Sequence, residues 1–246
     1  MADLQFFEVF IVIALAVIQS VAGVGILLVG TPILIIMGYE FLDILSVLVL
    51  PSFVVSTINI VKNFKSLCFD FELLYLPVGV FAGLYMTHYF SAEVLFYLSG
   101  ALLVILGAMA LRSESEQGFV FNLSKKLAHK TVFYPVLSLV HGFSNLGGGF
   151  LVWRSTEIYA DKYKIRAMTA LAYAVLAASQ LVSMKIIFGR DLPVSGELFL
   201  PILAGGVFVV SDKFFPKIEN QGYRRLMYYF LIFLGCLILT RVWWNL

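Results

Sequence analysis

The amino-acid sequence predicts an all-α integral membrane protein built as two inverted repeats, each a re-entrant helical hairpin plus three transmembrane helices. Three observations predict it: the apolar content, a pair of glycine-broken apolar segments, and the distribution of Lys and Arg. Of 246 residues, 61% are apolar and 13% are charged, against about 45–50% and about 25% in soluble domains. Mean hydropathy is +0.96. A water-soluble globule of this length could not bury so much apolar surface, which excludes a soluble enzyme and a disordered chain. A net charge of +2, with no basic stripe interleaved with aromatics, argues against nucleic acid as a partner. The apolar runs are long, unlike the short alternating strands of a β-barrel.

Apolar segments fall at 6–37, 44–61, 73–90, 92–111, 132–153, 166–188, 196–211 and 222–244. No Lys or Arg precedes the first run, so residues 1–37 are expected to belong to the mature chain rather than to a signal peptide. Residues 112–131, RSESEQGFVFNLSKKLAHKT, are polar and form the expected linker, with a short amphipathic surface helix at Phe119–Lys130. The N-terminal repeat is then 1–111, with a hairpin at 6–37. The C-terminal repeat is 132–246, with a hairpin at 132–160. The two cysteines, Cys68 and Cys236, have no CxxC or metal-type spacing and are read as small hydrophobes. No cofactor or metal motif is present.

A shift of 124 residues places Ser20 on Ser144, Gly23 on Gly147, Gly25 on Gly149, Tyr39 on Tyr163 and Pro77 on Pro201. The shared Ser-x-x-Gly-x-Gly opens the same kind of segment in each half, as an internal repeat requires. Glycines weaken a helix by roughly 1 kcal/mol each and permit positive φ. Gly23-Val24-Gly25 and Gly147-Gly148-Gly149 therefore divide their segments into arms of about a dozen residues, or about 18 Å. Such an arm is too short for a hydrocarbon core about 30 Å thick. A hairpin that dips to the midplane and returns fits better, and its non-helical tip needs protein or a water-filled cavity around it.

The charges test this topology. If all eight segments cross, Lys and Arg divide nine against eight, which orients nothing. If the two glycine-split segments are re-entrant, the division becomes fourteen against three. The positive-inside rule prefers the second arrangement. It has six crossings, the 112–131 linker in the cytoplasm and both termini outside. Each half crosses three times, so the halves are inverted, and the glycine tips are expected to meet near the midplane. Inverted repeats with broken helices are the sequence signature of a secondary transporter.

The runs Gln19-Ser20-Val21-Ala22-Gly23-Val24-Gly25 and Gly142-Phe143-Ser144-Asn145-Leu146-Gly147-Gly148-Gly149, set in two four-segment halves, resemble the sulfite exporter TauE/SafE family. Gly30-Thr31-Pro32 through Gly38, and Arg166-Ala167-Met168-Thr169 after the second break, are similar to that family's pattern too. The chain departs from it in having Gly-Val-Gly at the first break and Trp153-Arg154-Ser155-Thr156-Glu157 where proline is common. The resemblance implies a permease of the bacterial inner (plasma) membrane that moves a small sulfur-containing anion such as sulfite or an organosulfonate.

The residues allow such chemistry. The second arms are expected to begin at about Ile26 and Phe150, with free N–H groups and the positive helix end facing a cavity. Two such ends make an anion site without a lysine. Candidate substrate-binding residues are Gln19, Ser20, Gly23, Val24, Gly25, His141, Ser144, Asn145, Gly147, Gly148 and Gly149. A second set comprises Asn59 and Gln180, amides suited to helix–helix bonding, and Arg154. The arginine either snorkels to the cytoplasmic interface or supplies a fixed charge that guides the anion. His141 is either a packing residue or a proton site. A passive anion channel is the main alternative function. An intramembrane hydrolase built on His141 and Ser144 lacks an orienting acid. A thiosulfate carrier would need cysteines at the breaks. A homodimer remains open.

Overall fold

The computed structural model describes residues 2–68, 70–89, 92–113, 129–190 and 198–244. Among these there are ten α-helices and no strand. They are α1 (Ala2–Ala22), α2 (Ile26–Ile36), α3 (Phe41–Lys62), α4 (Leu76–Met86), α5 (Ala92–Ser113), α6 (Lys130–Ser144), α7 (Gly147–Ile158), α8 (Lys162–Phe188), α9 (Phe199–Ser211) and α10 (Asn220–Trp244). Short 3-10 turns cover Phe64–Ser66, Phe71–Tyr75 and Asp212–Lys217. Most of the 112–131 linker, including nearly all of the amphipathic helix expected at 119–130, lies outside the described residues.

Four described helical segments are long and apolar enough to cross a membrane: Phe41–Lys62, Lys162–Phe188, Phe199–Lys217 and Asn220–Thr240. α5 has 22 residues, whereas α4 has only 11, shorter than the 73–90 crossing expected there. Pro77 stands in its first turn, where a missing N–H costs nothing. α4 packs on α6 backbone to backbone: a Cβ on Gly142 would lie 2.5 Å from the Val80 carbonyl oxygen.

Both glycine-broken segments fold back on themselves. In the first, the Tyr39 hydroxyl donates to Glu8 Oε1 at 3.2 Å, so α1 and α2 run antiparallel. In the second, Arg154 Nη1 donates to the Tyr134 hydroxyl at 3.0 Å, pairing α7 with α6. The arms are not the equal dozens expected. α2 and α7 have 11 and 12 residues and α6 has 15, but α1 has 21, or about 31 Å. Length alone does not make α1 a half-crossing. Its apolar part runs only from Phe7 to Ala22, which rises about 23 Å.

Helix α8 measures the positions of the two tips. A Cβ on Gly23, at the first tip, would lie 3.1 Å from Arg166 Cγ and from the Arg166 carbonyl oxygen. Farther along, the Leu28 amide donates to the Tyr173 hydroxyl at 3.1 Å. The second tip lies farther still, where Gln180 Nε2 donates to Asn145 Oδ1 at 2.7 Å. Arg166 and Gln180 are about 21 Å apart along the helix axis. The hairpins thus approach from opposite ends of α8 and overlap around Tyr173. Their tips pass each other rather than meeting, contrary to the arrangement expected from the sequence. Every residue from Ala22 to Pro32 and from Val140 to Thr156 is buried, which meets the requirement that broken backbone at membrane depth be enclosed by protein.

Charge marks the two ends of the bundle. Lys62 and Arg166 reach Asp212 at 2.9 and 2.5 Å, where α3 ends, α8 begins and α9 ends. At the opposite end Arg190 pairs with Asp43 at 2.7 Å. α1 begins at the Asp43 end. α10 starts at the Asp212 end, where the Lys162 amide donates to Asn220 Oδ1 at 3.1 Å.

Candidate functional site

The first break spans Gly23-Val24-Gly25. Gly23 takes φ +78°, a conformation in which a Cβ is strained, and Val24 is fully buried. Gln19 organises the turn. Its Oε1 accepts from the Ile26 amide at 2.9 Å, and its Nε2 donates to Ser56 Oγ at 3.0 Å and to the Ser52 carbonyl at 3.2 Å. A side chain seven residues upstream therefore caps the first helical amide of α2, and the Tyr173 hydroxyl caps the amide of Leu28. From the sequence, these N–H groups are expected to be free. Two of them are instead satisfied by the protein's own side chains, which leaves less of this helix end for a ligand. The hydroxyl of Ser20 is also spent, donating to the Val17 carbonyl of its own helix at 2.7 Å. Arg166 Nη1 donates to the Ser20 carbonyl at 2.7 Å.

The second break is tighter and turns on a different residue. α6 ends at Ser144 and α7 begins at Gly147, so the triple glycine forms the first turn of the second arm. The arm does not start at Phe150. The residue that reverses the chain is Asn145, at φ 65°, one of the few non-glycine types that tolerates this conformation. Ser144 Oγ donates to the Val140 carbonyl at 2.7 Å and accepts from the Leu146 amide at 3.2 Å. This spends the hydroxyl that a Ser144–His141 hydrolase would need as nucleophile. Asn145 Nδ2 donates to Thr31 Oγ1 at 2.8 Å, joining the second tip to α2, while its Oδ1 is held by Gln180.

What remains at the second break is a set of buried groups without protein partners. Among the described residues, nothing accepts from the amides of Gly147 and Gly148. His141 is fully buried and neither ring nitrogen has a partner in hydrogen-bond geometry; Gln180 is the polar side chain that approaches it. Gln180 Oε1 is itself unpaired. The His141 ring meets the Tyr173 ring edge-on, with centroids 5.7 Å apart. A Cβ on Gly147 would lie 2.5 Å from His141 Cβ, and one on Gly148 would lie 2.9 Å from Tyr173 Cε2. Glycine is needed here because the two rings close on the backbone. Buried polar groups are nearly always satisfied, by protein, water or ligand, so this cluster can accept a polar partner.

The structure brings Gln180, Asn145, His141 and the glycines together, and adds Thr31 and Tyr173. It leaves Asn59 elsewhere: that side chain accepts from Asn63 Nδ2 at 2.7 Å, below Ser56 on α3. Arg154 does not reach an interface. It is 6% exposed, lies 4.6 Å over the Tyr134 ring and is 3.7 Å from Asp70, so its charge is already engaged. Sequence reasoning missed Tyr173 because a tyrosine in an apolar helix carries no motif. Thr31 carried a usable signal, as a polar residue between Gly30 and Pro32 in an otherwise apolar arm.

With the two opposed breaks described, the comparison with protein families is decisive. The model of the sulfite exporter TauE/SafE family matches residues 9–238. The chain belongs to that family. The match takes in both breaks and the whole of α8. TauE/SafE proteins are membrane permeases for sulfur-containing anions, not enzymes. Comparison with curated proteins and with solved structures returns no match.

Proposed function

We propose that this TauE/SafE chain is a secondary transporter that binds a small sulfur-containing anion, sulfite or an organosulfonate, at the second break. The observation that carries the reading is the cluster of unpaired buried groups formed by the Gly147 and Gly148 amides, His141 and Gln180. Amides at a helix N-terminus bind oxyanions with the help of the helix dipole, and an imidazole N–H adds a donor. The glycines let the His141 and Tyr173 rings close on that helix end. Gln19, Ser20, Gly23, Val24 and Gly25 then act structurally, holding the turn that sets α2 beside the second break, instead of donating to the anion. A channel would use the same groups, and coupling distinguishes the two.

In this reading the halves 1–111 and 132–246 are inverted repeats joined by a cytoplasmic linker. Lys62, Lys162, Arg166, Lys213, Lys217 and Arg224 gather at the Asp212 end, against Lys185 and Arg190 at the Asp43 end. The positive-inside rule therefore supports a cytoplasmic Asp212 end and external termini. The hairpins then enter from opposite faces of the plasma membrane. Uptake into proteoliposomes, measured for sulfite, sulfate, thiosulfate and sulfonates with and without a pH gradient, tests the function. No uptake of any of them, from correctly inserted protein, would refute it. Reporters fused at the C-terminus and within 112–131 test the topology, and a cytoplasmic C-terminus would overturn it.

A further inference from the structure

We infer that the site at the second break admits only a singly charged sulfo group, bisulfite or an organosulfonate monoanion, and refuses dianions. The inference rests on the proposed transport function and sharpens it. Its basis is the charge inventory around the cluster. The groups that face it are the Gly147 and Gly148 amides, the His141 ring, the Gln180 amide, Asn145 and the Tyr173 ring, none of which carries a fixed charge. Of the cations along the enclosing helices, Lys185, about 8 Å from Gln180 along α8, is exposed, and the nearest buried ones are already paired. Arg154, six residues beyond Gly148 on α7, is held by Tyr134 and lies 3.7 Å from Asp70. Arg166, about 10 Å from Tyr173 along α8, is bound to Asp212 and to the Ser20 carbonyl.

Moving an ion from water into a poorly polarisable interior costs free energy that rises with the square of its charge, so a second charge raises the cost about fourfold. Neutral donors and one helix end offset part of the cost for a monoanion. They offer no counter-charge for a dianion. Sterics act in the same direction. His141 and Tyr173 lie so close over Gly147 and Gly148 that an added Cβ would clash, and Gly149 is closed by Leu103, which would lie 2.4 Å from an added Cβ, so an anion reaches the amides only as those rings give way. There is little room for the waters that would keep a second charge hydrated.

Sulfite suits a test, because its second ionisation lies near neutral pH. The full-length protein in liposomes is assayed at sub-saturating sulfite, from below to above that ionisation, with sulfate and methanesulfonate as competitors. Above the ionisation, sulfite uptake is expected to fall about tenfold per pH unit, following the bisulfite fraction. Methanesulfonate, which keeps one charge throughout, is expected to inhibit with the same potency at every pH, and sulfate is expected neither to enter nor to compete. Entry or competition by sulfate at concentrations similar to sulfite would overturn the inference, as would level sulfite uptake across the range. Inhibition by methanesulfonate that weakens in parallel with sulfite uptake would assign the titration to His141, and absence of inhibition would show that charge is not what the site reads; either result also overturns it. If sulfite does not enter at any pH, it is the transport reading that fails.

Discussion

The two hairpins start from the same motif and finish it differently. In the first, Gln19 and Tyr173 cap the amides of α2, and the Ser20 hydroxyl bonds its own helix. In the second, the position matching Gln19 is Phe143, which has no polar atom to offer, and the amides of Gly147 and Gly148 stay open. The turning residue has shifted as well, from Gly23 to Asn145. A repeated sequence motif thus yields one helix end that is structurally complete and one that is chemically unfinished. Two copies of one motif need not do equal work, and the difference lies in the residues flanking the shared glycines.

The largest effect that would sharpen this contrast is steric. Gly148→Leu should abolish uptake while the protein inserts and folds, because even its Cβ meets the Tyr173 ring at 2.9 Å. Normal uptake at normal expression would show that the second break is not the site. Next comes Asn145→Gly, which keeps the left-handed turn but removes the links to Thr31 and Gln180. With Gln180 no longer braced, apparent sulfite affinity should drop about twofold to tenfold, the equivalent of about 0.5–1.5 kcal/mol for a neutral hydrogen bond; an unchanged KM would detach Asn145 from binding.

The first hairpin should respond in stability instead. Gln19→Leu leaves the Ile26 amide and Ser56 without their partner, a loss of about 1–3 kcal/mol. It should lower the thermal midpoint at constant KM. A raised KM with unchanged melting would mean that the first break binds substrate after all. The smallest effects on transport are expected for Ser20→Ala and Arg154→Gln. Both should keep the wild-type KM, although Arg154→Gln should also melt earlier because Asp70 loses its cation. Loss of substrate binding in Arg154→Gln alone would replace the helix-end account with an arginine-centred site.

Much of the fold was legible in the sequence, since bilayer thickness and the cost of unpaired backbone constrain apolar segments strongly. Glycine marked both places where helices stop, and the polar residues His141, Asn145 and Gln180 stood out against apolar surroundings. The finer features depend on three-dimensional neighbours. Gln19 looked like a ligand donor because an amide one turn before a break can serve the ligand or the helix; the choice is made by Ser52 and Ser56, on another helix. Arg154 looked peripheral by its distance from the glycines, yet Tyr134 and Asp70, far apart in the chain, enclose it. The extra length of α1 was hidden because its first residues, Ala2 to Gln5, precede the apolar run that begins at residue 6.

Helix α8 grips both hairpins, but with unequal strength. At Arg166 the grip is ionic and buried: one guanidinium holds the Ser20 carbonyl and Asp212, and its carbon lies 3.6 Å from the centre of the Phe215 ring. On the second hairpin the hydrogen bonds of the grip join neutral groups: Gln180 bonds Asn145 at the tip, and Thr169 Oγ1 donates to Ser155 Oγ at 3.0 Å. Charge-assisted bonds are about twice as strong as neutral ones. Under any load that slides the hairpins along α8, the first behaves as an anchor and the second as the compliant element. The tip that yields first is the one whose helix end is open.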